Sequence, residues 1–175
     1  MTRIILIGFM GSGKTTLGRA LAKETGLTFI DLDNYIELRH CKSINQIFAE
    51  RGEEGFRKIE QSLLHEVCEF EDVIISSGGG TPCFFDNIEY MNRQGTTIYL
   101  EVPHERLLER LIIAKSRRPL LKEKSNDEIS AFIEEQMQKR SPFYSQAAHS
   151  FTADRLEDKI QIKESVEKFR KQFGI

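Results

Sequence analysis

The sequence predicts an α/β fold of three layers, in which a five-stranded parallel sheet lies between two layers of helices. Short runs rich in β-branched residues alternate along the chain with longer stretches of helical periodicity, the pattern of a parallel sheet covered on both faces. A glycine-rich turn joins the first such run to the first helical stretch. At 175 residues, without a linker or a change of composition, the chain is predicted to form one domain over residues 1–175.

The individual elements follow from the periodicity in chain order. Apolar runs predict strands at residues 3–7, 28–31, 73–76, 96–101 and 148–152. Helical spacing predicts helices at residues 14–25, 34–40, 43–51, 53–69, 85–93, 103–113, 126–140 and 156–172. Pro142 is expected to stop the helix over 126–140, because proline has no N–H to donate within a helix.

Composition excludes several classes of function. The 25 Lys and Arg residues balance 27 Asp and Glu residues, so no basic surface for nucleic acid is indicated. No segment approaches the ~18 apolar residues of a membrane span. The 3 cysteines have neither a CxxC pair nor zinc-ligand spacing. We therefore expect a cytoplasmic monomer with reduced cysteines that acts on small molecules, without nucleic-acid or membrane partners.

Residues 8–15 read GFMGSGKT, a complete match to the phosphate-loop pattern GxxxxGK(S/T). Between a strand and a helix, such a loop directs backbone N–H groups and the positive helix end at a triphosphate. Lys14 would add a charge at the β- and γ-phosphates, and the Thr15 hydroxyl would bind Mg²⁺. The complete pattern disfavours the alternative of an ordinary glycine-rich turn. The nucleotide-binding residues predicted here are Gly11, Ser12, Gly13, Lys14, Thr15 and Thr16.

Two aspartates, Asp31 and Asp33, stand where the second predicted strand ends. Ligands of parallel sheets bind at this carboxyl edge, and alternation along the strand would put both side chains on one face. One carboxylate could reach Mg²⁺ through water while the other accepts a hydrogen bond from an acceptor hydroxyl. A helix cap is the alternative for Asp33.

Two further patterns allow more than one interpretation. Arg57 and Glu60 are three residues apart on one side of a predicted helix, either as part of a site or as an ion pair of little consequence. The glycine triplet Gly78, Gly79 and Gly80 follows the third strand. It would let a ligand approach the backbone closely, although a flexible turn is also possible.

A basic segment over residues 114–125 reads AKSRRPLLKEKS between two helical patterns. We predict a mobile lid that closes over the nucleotide and excludes water, with a solvated surface connection as the alternative. Arg140 precedes Pro142 near the expected end of its helix, where it could bind a ligand or simply favour the helix dipole.

Together these residues resemble the shikimate kinase family over nearly the whole chain and in the family's order. The matching elements are the phosphate loop, Asp31 with Asp33, FRxxE at 56–60, the glycine triplet, RPLL at 118–121 and RxPxY at 140–144. The resemblance implies a P-loop NTPase fold with a lid, similar to the nucleoside monophosphate kinases. It also implies phosphorylation of the 3-hydroxyl of shikimate, a step toward chorismate and the aromatic amino acids, with ATP as co-substrate and Mg²⁺ as cofactor.

The resemblance assigns the acceptor side to residues in and around the region 31–60. Asp33 would hold the ring hydroxyls of shikimate and act as the base near the 3-hydroxyl. Arg57 and Arg140 would clamp the substrate carboxylate with their planar donor forks. Glu60 would orient Arg57, and backbone N–H groups of the glycine triplet would complete the pocket.

The resemblance assigns three arginines to the nucleotide. Arg118 of the lid would reach the transferring phosphate, and together with Lys14 and Asp33 it forms the predicted catalytic set. Arg110 resembles the arginine that stacks on adenine, and Arg155 lies in the adenine loop, which lacks the proline often found there. Asp31 would act with Thr15 on Mg²⁺.

Two other functions are alternatives to this one. A kinase of the same fold could phosphorylate another polyol acid such as gluconate, but the Arg57 and Arg140 motifs favour shikimate. A nucleotide switch or binding module is the second alternative. The chain has no NKxD motif for guanine and no HRD or DFG element of a protein kinase.

Overall fold

A computed structural model describes residues 2–117 and 120–175 of the chain, apart from the side chain of residue 117. The strands in these ranges are β1 (Arg3–Ile7), β2 (Thr28–Asp31), β3 (Val73–Ser76), β4 (Thr96–Glu101) and β5 (His149–Thr152). The α-helices are α1 (Lys14–Thr25), α2 (Leu32–His40), α3 (Ile44–Val67), α4 (Asn87–Gln94), α5 (His104–Ile113), α6 (Asn126–Tyr144) and α7 (Lys159–Phe173). Two short 3₁₀ turns cover Thr81–Cys83 and Lys115–Arg117.

The strands form one parallel sheet in the order β2-β3-β1-β4-β5. In the centre, Ile5 of β1 lies opposite Ile75 of β3 and Thr97 of β4. Because every strand runs the same way, the segments after β1, β2 and β3 leave the sheet at one edge. These segments are the phosphate loop, the start of α2 and the glycine triplet, so the topology brings the predicted site elements together.

Helices cover both faces of the sheet, which completes three layers. Ile5 and Ile7 of β1 join one buried cluster, to which α2, α3, α4, α5 and α6 contribute residues. Ile4 and Leu6 face the other way and pack into a second cluster with α1 and α7. A strand buried on both sides needs a continuous apolar sequence rather than an alternating one, and residues 4–7 of β1, with the sequence IILI, provide it.

The sequence predicted the strands closely and the helices less well at their ends. All five strands are confirmed, four of them at the predicted bounds. The expected break between helices 43–51 and 53–69 is present as a kink within α3 at Gly52, whose φ of 67° suits glycine. In the part of the chain that the structure covers, no helix has the length and apolar character to cross a bilayer.

Two local expectations were wrong. Strand β2 ends at Asp31, whose side chain accepts from the N–H of Asn34 and caps α2. Asp33 therefore lies in the first turn of a helix rather than on a strand face, and the cap is Asp31. Helix α6 also continues through Pro142 to Tyr144. A proline so near the end removes one hydrogen bond, and the buried Tyr144 ring secures the last turn.

Candidate active site

The phosphate loop has the backbone conformation that its glycines predict. Gly8, Gly11 and Gly13 have φ angles of 146°, 79° and 95°, which residues with a Cβ rarely adopt. The Lys14 ammonium donates to the carbonyls of Gly8 at 2.7 Å and Phe9 at 3.0 Å, so it closes the loop from inside. Helix α1 begins at Lys14, and Gly13 at its N-cap makes no side-chain cap hydrogen bond. The start of a helix favours an anion.

A cavity of about 500 Å³ opens beside this loop. It extends from the phosphate loop and the end of β3 to the C-terminal end of α5. Two predicted acceptor residues, Asp33 and Gly79, line this cavity. Its lining also includes most of the predicted nucleotide and metal residues: Gly11, Gly13, Lys14, Thr15, Thr16, Asp31 and Arg110. Its size is within the range of small-molecule sites.

The oxygens proposed for the metal lie together at the cavity wall. The Thr15 hydroxyl donates to Asp31 Oδ2 over 2.7 Å. Mg²⁺ bound to a triphosphate takes one or two protein oxygens and completes its shell with phosphate oxygens and water. The Thr15 and Asp31 pair fits that requirement. Among the residues described, no group of three or more His, Cys, Asp or Glu side chains is arranged to hold a metal by itself.

The Asp33 carboxyl lies among other negative charges. Burial, followed by the charges of Asp31 and Glu60, raises its pKa from 3.8 to about 6, against the lowering effect of Lys14 and Arg57. A carboxylate with a pKa near 6 is ionised at neutral pH and is a stronger base than an ordinary aspartate. This property suits a group that accepts a proton from a hydroxyl.

The glycine triplet provides room for charged side chains. A Cβ at Gly78 would lie 3.0 Å from both Asp33 Oδ1 and Glu60 Oε1. A Cβ at Gly79 would lie 3.2 Å from Arg140 Nη1, and one at Gly80 would lie 2.9 Å from Arg57 Nη2. The triplet is therefore a contact surface for four predicted acceptor residues, and neither Gly79 nor Gly80 needs a left-handed backbone.

Arg57 and Glu60 form a shielded ion pair rather than an exposed helical one. Arg57 Nη1 lies 2.8 Å from Glu60 Oε2, with side-chain exposures of 13% and 1%. The Thr81 hydroxyl donates to Glu60 Oε1 over 2.6 Å. Both oxygens of the buried carboxylate are thus satisfied, which fixes the orientation of Arg57.

Arg140 reaches the same surface from α6. Its guanidinium lies 5.4 Å from the Phe9 ring centroid and next to Gly79. One turn later, the Tyr144 hydroxyl donates to the Gly79 carbonyl over 2.6 Å. Burial raises the pKa of Tyr144, so this phenol stays protonated as a donor. Helix α6 therefore supplies Arg140 and, through Tyr144, also anchors the Gly79 backbone next to Arg140.

The predicted nucleotide arginines differ in their placement. Arg110 lines the cavity, where it pairs with Glu157 at 2.8 Å and donates to the carbonyls of Gly11 and Ala153. Arg155 pairs instead with Glu164 of α7 at 3.3 Å with 59% exposure, and it is not part of the cavity lining. Arg118 lies outside the described residues. In the predicted lid, Leu121 is fully buried.

Sequence reasoning missed several residues of the site. Glu157 and Leu156 border the cavity, Thr81 supports Glu60, and Tyr144 was noted only as part of a motif. Thr81 directly follows the glycine triplet in the sequence, so its position could have indicated that it belongs to the site. Glu157 is 47 residues from Arg110, and no sequence pattern connects the two.

This fold and site define a class of protein, the P-loop kinases that act on small molecules. The chain has a parallel sheet, a phosphate loop after its central strand, and two arginines at the glycine triplet beside the cavity. The shikimate kinase family model matches residues 10–172. The chain belongs to the shikimate kinase family.

Individual relatives agree with this assignment. A curated shikimate kinase of Phocaeicola vulgatus is 60% identical over 99% of both chains. The crystal structure of shikimate kinase from Bacteroides thetaiotaomicron is 52% identical, with a TM-score of 0.96 over 99% of both chains. The Acinetobacter baumannii shikimate kinase, solved in complex with shikimate, is 30% identical, with a TM-score of 0.83 over 99% of this chain and 94% of that one.

Proposed function

We propose that this protein transfers the γ-phosphoryl group of ATP to the 3-hydroxyl of shikimate, producing shikimate 3-phosphate and ADP. The observation that carries the proposal is that Arg57, Arg140 and Asp33 meet at the glycine triplet, next to the phosphate loop. Shikimate carries one carboxylate and three ring hydroxyls. Two arginine forks and one carboxylate have the complementary chemistry.

The nucleotide side of the site supports the transfer electrostatically. The N–H groups of the phosphate loop bind the β- and γ-phosphates, and Lys14 moves from the loop carbonyls to their developing charge. Arg110 lies at the far end of the cavity and is the proposed contact for adenine. Arg118 of the lid is proposed to reach the transferring group when residues 114–125 close.

Acceptor activation is assigned to Asp33. The 3-hydroxyl oxygen forms a bond to the γ-phosphorus while the bond from that phosphorus to the bridging oxygen breaks, and the electron pair leaves with ADP. Asp33 accepts the hydroxyl proton, a task that suits its raised pKa. Arg57 and Arg140 hold the substrate carboxylate, so that binding energy far from the reacting atoms positions the hydroxyl in line.

Mg²⁺ is the proposed cofactor, held by Thr15 and, directly or through water, by Asp31. When bound, it neutralises charge on the β- and γ-phosphates. We further propose that the enzyme works as a monomer in the cytoplasm, where ATP is abundant.

The roles are tested by comparing Michaelis constants for the two substrates. Arg57→Ala and Arg140→Ala should each raise KM for shikimate roughly 10- to 150-fold, the effect of charged hydrogen bonds worth about 1.5–3 kcal/mol. KM for ATP should change little, whereas Lys14→Ala should abolish transfer in a folded protein. A parallel loss of ATP affinity in the arginine variants would assign these arginines to the nucleotide site or to the fold.

A further inference from the structure

The guanidinium of Arg57 is held from several directions. Its Nη1 pairs with Glu60 at 2.8 Å, and its Nη2 lies 3.7 Å from Glu53. Its Cζ lies over the ring of Phe84, 3.9 Å from the ring centroid, and 5.2 Å from the ring centroid of Phe56. The Phe84 contact is the closest of these approaches to an aromatic ring. Arg57 Nε is buried and has no hydrogen-bond partner within the two described segments.

Phe84 is presented to Arg57 by a braced turn. It follows the 3₁₀ turn Thr81–Cys83, in which the N–H of Cys83 donates to the Gly80 carbonyl at 2.9 Å. The fully buried Asn87 donates from its side chain to the Thr81 carbonyl at 2.9 Å and from its backbone to the Phe84 carbonyl at 3.2 Å. These bonds fix the turn on both sides of the ring.

We propose that Phe84 is a positioning residue for Arg57 and sets the affinity of the site for the acceptor carboxylate through that arginine. An aromatic face attracts the flat guanidinium and excludes water from it, while the in-plane N–H groups remain free to donate. A carboxylate is bound by these in-plane donors. The ring therefore restrains the fork without competing for the donors that the substrate uses. The inference rests on the proposed role of Arg57.

Three variants test the ring. Phe84→Leu keeps an apolar side chain but removes the aromatic face, and it should raise KM for shikimate roughly 3- to 30-fold. The turnover number and KM for ATP should stay within about twofold of wild type. Phe84→Tyr keeps the face and should restore a near-normal KM. Phe85→Leu is the matched control, because Phe85 is the adjacent residue and is 53% exposed.

A double-mutant cycle separates positioning through Arg57 from direct contact. In an Arg57→Ala background, adding Phe84→Leu should raise KM for shikimate no further. An additional rise of the same size as in wild type would mean that Phe84 acts on the substrate or the fold directly, and would overturn the inference. If Arg57→Ala impairs shikimate binding while Phe84→Leu does not, the inference fails and the proposed function stands. An Arg57→Ala enzyme with normal KM for shikimate would overturn both.

Discussion

Replacing Asp33 with Asn should stabilise the folded protein at neutral pH while it removes activity. Folding raises the pKa of this carboxyl from 3.8 to about 6. The folded state therefore binds the proton more tightly than the unfolded state does. The raised pKa of Asp33 does not lower the free energy of unfolding below pH 3.8, where the carboxyl is protonated in both states. The loss of stability grows as the pH rises to about 6, and above that value it is complete. Asparagine does not ionise, so the variant avoids the cost.

The size of the gain follows from the pKa. The full difference corresponds to about 3 kcal/mol at 1.36 kcal/mol per pH unit. Asp33 also faces the solvent that fills the cavity, so water screens part of this energy. We therefore expect about 1–2 kcal/mol at neutral pH. For a chain of this length, such a gain raises Tm by roughly 2–8 °C.

Thermal unfolding without nucleotide at pH 7.5 and near pH 4 measures this effect. The Tm of Asp33→Asn should exceed that of wild type at pH 7.5, and the two should converge near pH 4. In wild type, kcat/KM for shikimate should fall as the pH drops below about 6. Equal Tm values at pH 7.5, or a less stable variant, would refute the electrostatic account of this carboxyl.

Three further substitutions give distinct results. Gly80→Ala places a Cβ 2.9 Å from Arg57 Nη2, so Tm should change little while KM for shikimate rises about tenfold or more, and an unchanged KM would contradict the contact. Tyr144→Phe leaves the Gly79 carbonyl without its donor, which should cost about 1–2 kcal/mol in denaturant unfolding, unlike a matched Tyr99→Phe variant. Ser12→Ala removes a buried hydroxyl that has no hydrogen-bond partner within residues 2–117 and 120–175. The free energy of unfolding should therefore stay unchanged or rise by up to about 1 kcal/mol, and a clear decrease would reveal a missed hydrogen bond.

The sequence predicted the parts of this molecule that depend on local patterns. The phosphate loop was readable because its glycines, lysine and threonine have fixed spacing between a strand and a helix. The strands were readable because parallel sheets buried on both faces need continuous apolar runs. The kink at Gly52 follows from the same reasoning, since glycine tolerates the backbone angle that the bend requires.

Features that depend on tertiary contacts were not predictable in this way. Pro142 continues its helix because the ring of Tyr144, two residues later, is buried against the rest of the domain. The alternatives for Arg57 and Glu60 could be separated only by burial, which the spacing of three residues does not reveal. Arg155 was assigned to adenine by resemblance, but in this structure it pairs with Glu164 on the surface.

In the proposed function, one site binds ATP and shikimate together and transfers phosphate to the 3-hydroxyl. The most direct test supplies the wild-type enzyme with ATP and Mg²⁺ and with shikimate, gluconate or no acceptor, and follows ADP release together with the ³¹P spectrum of the product. We expect one ADP for each shikimate consumed, a single phosphomonoester on the 3-oxygen, and little ADP with gluconate or with water alone. Comparable ADP release with gluconate or without an acceptor, or a phosphate on a different hydroxyl, would contradict the account.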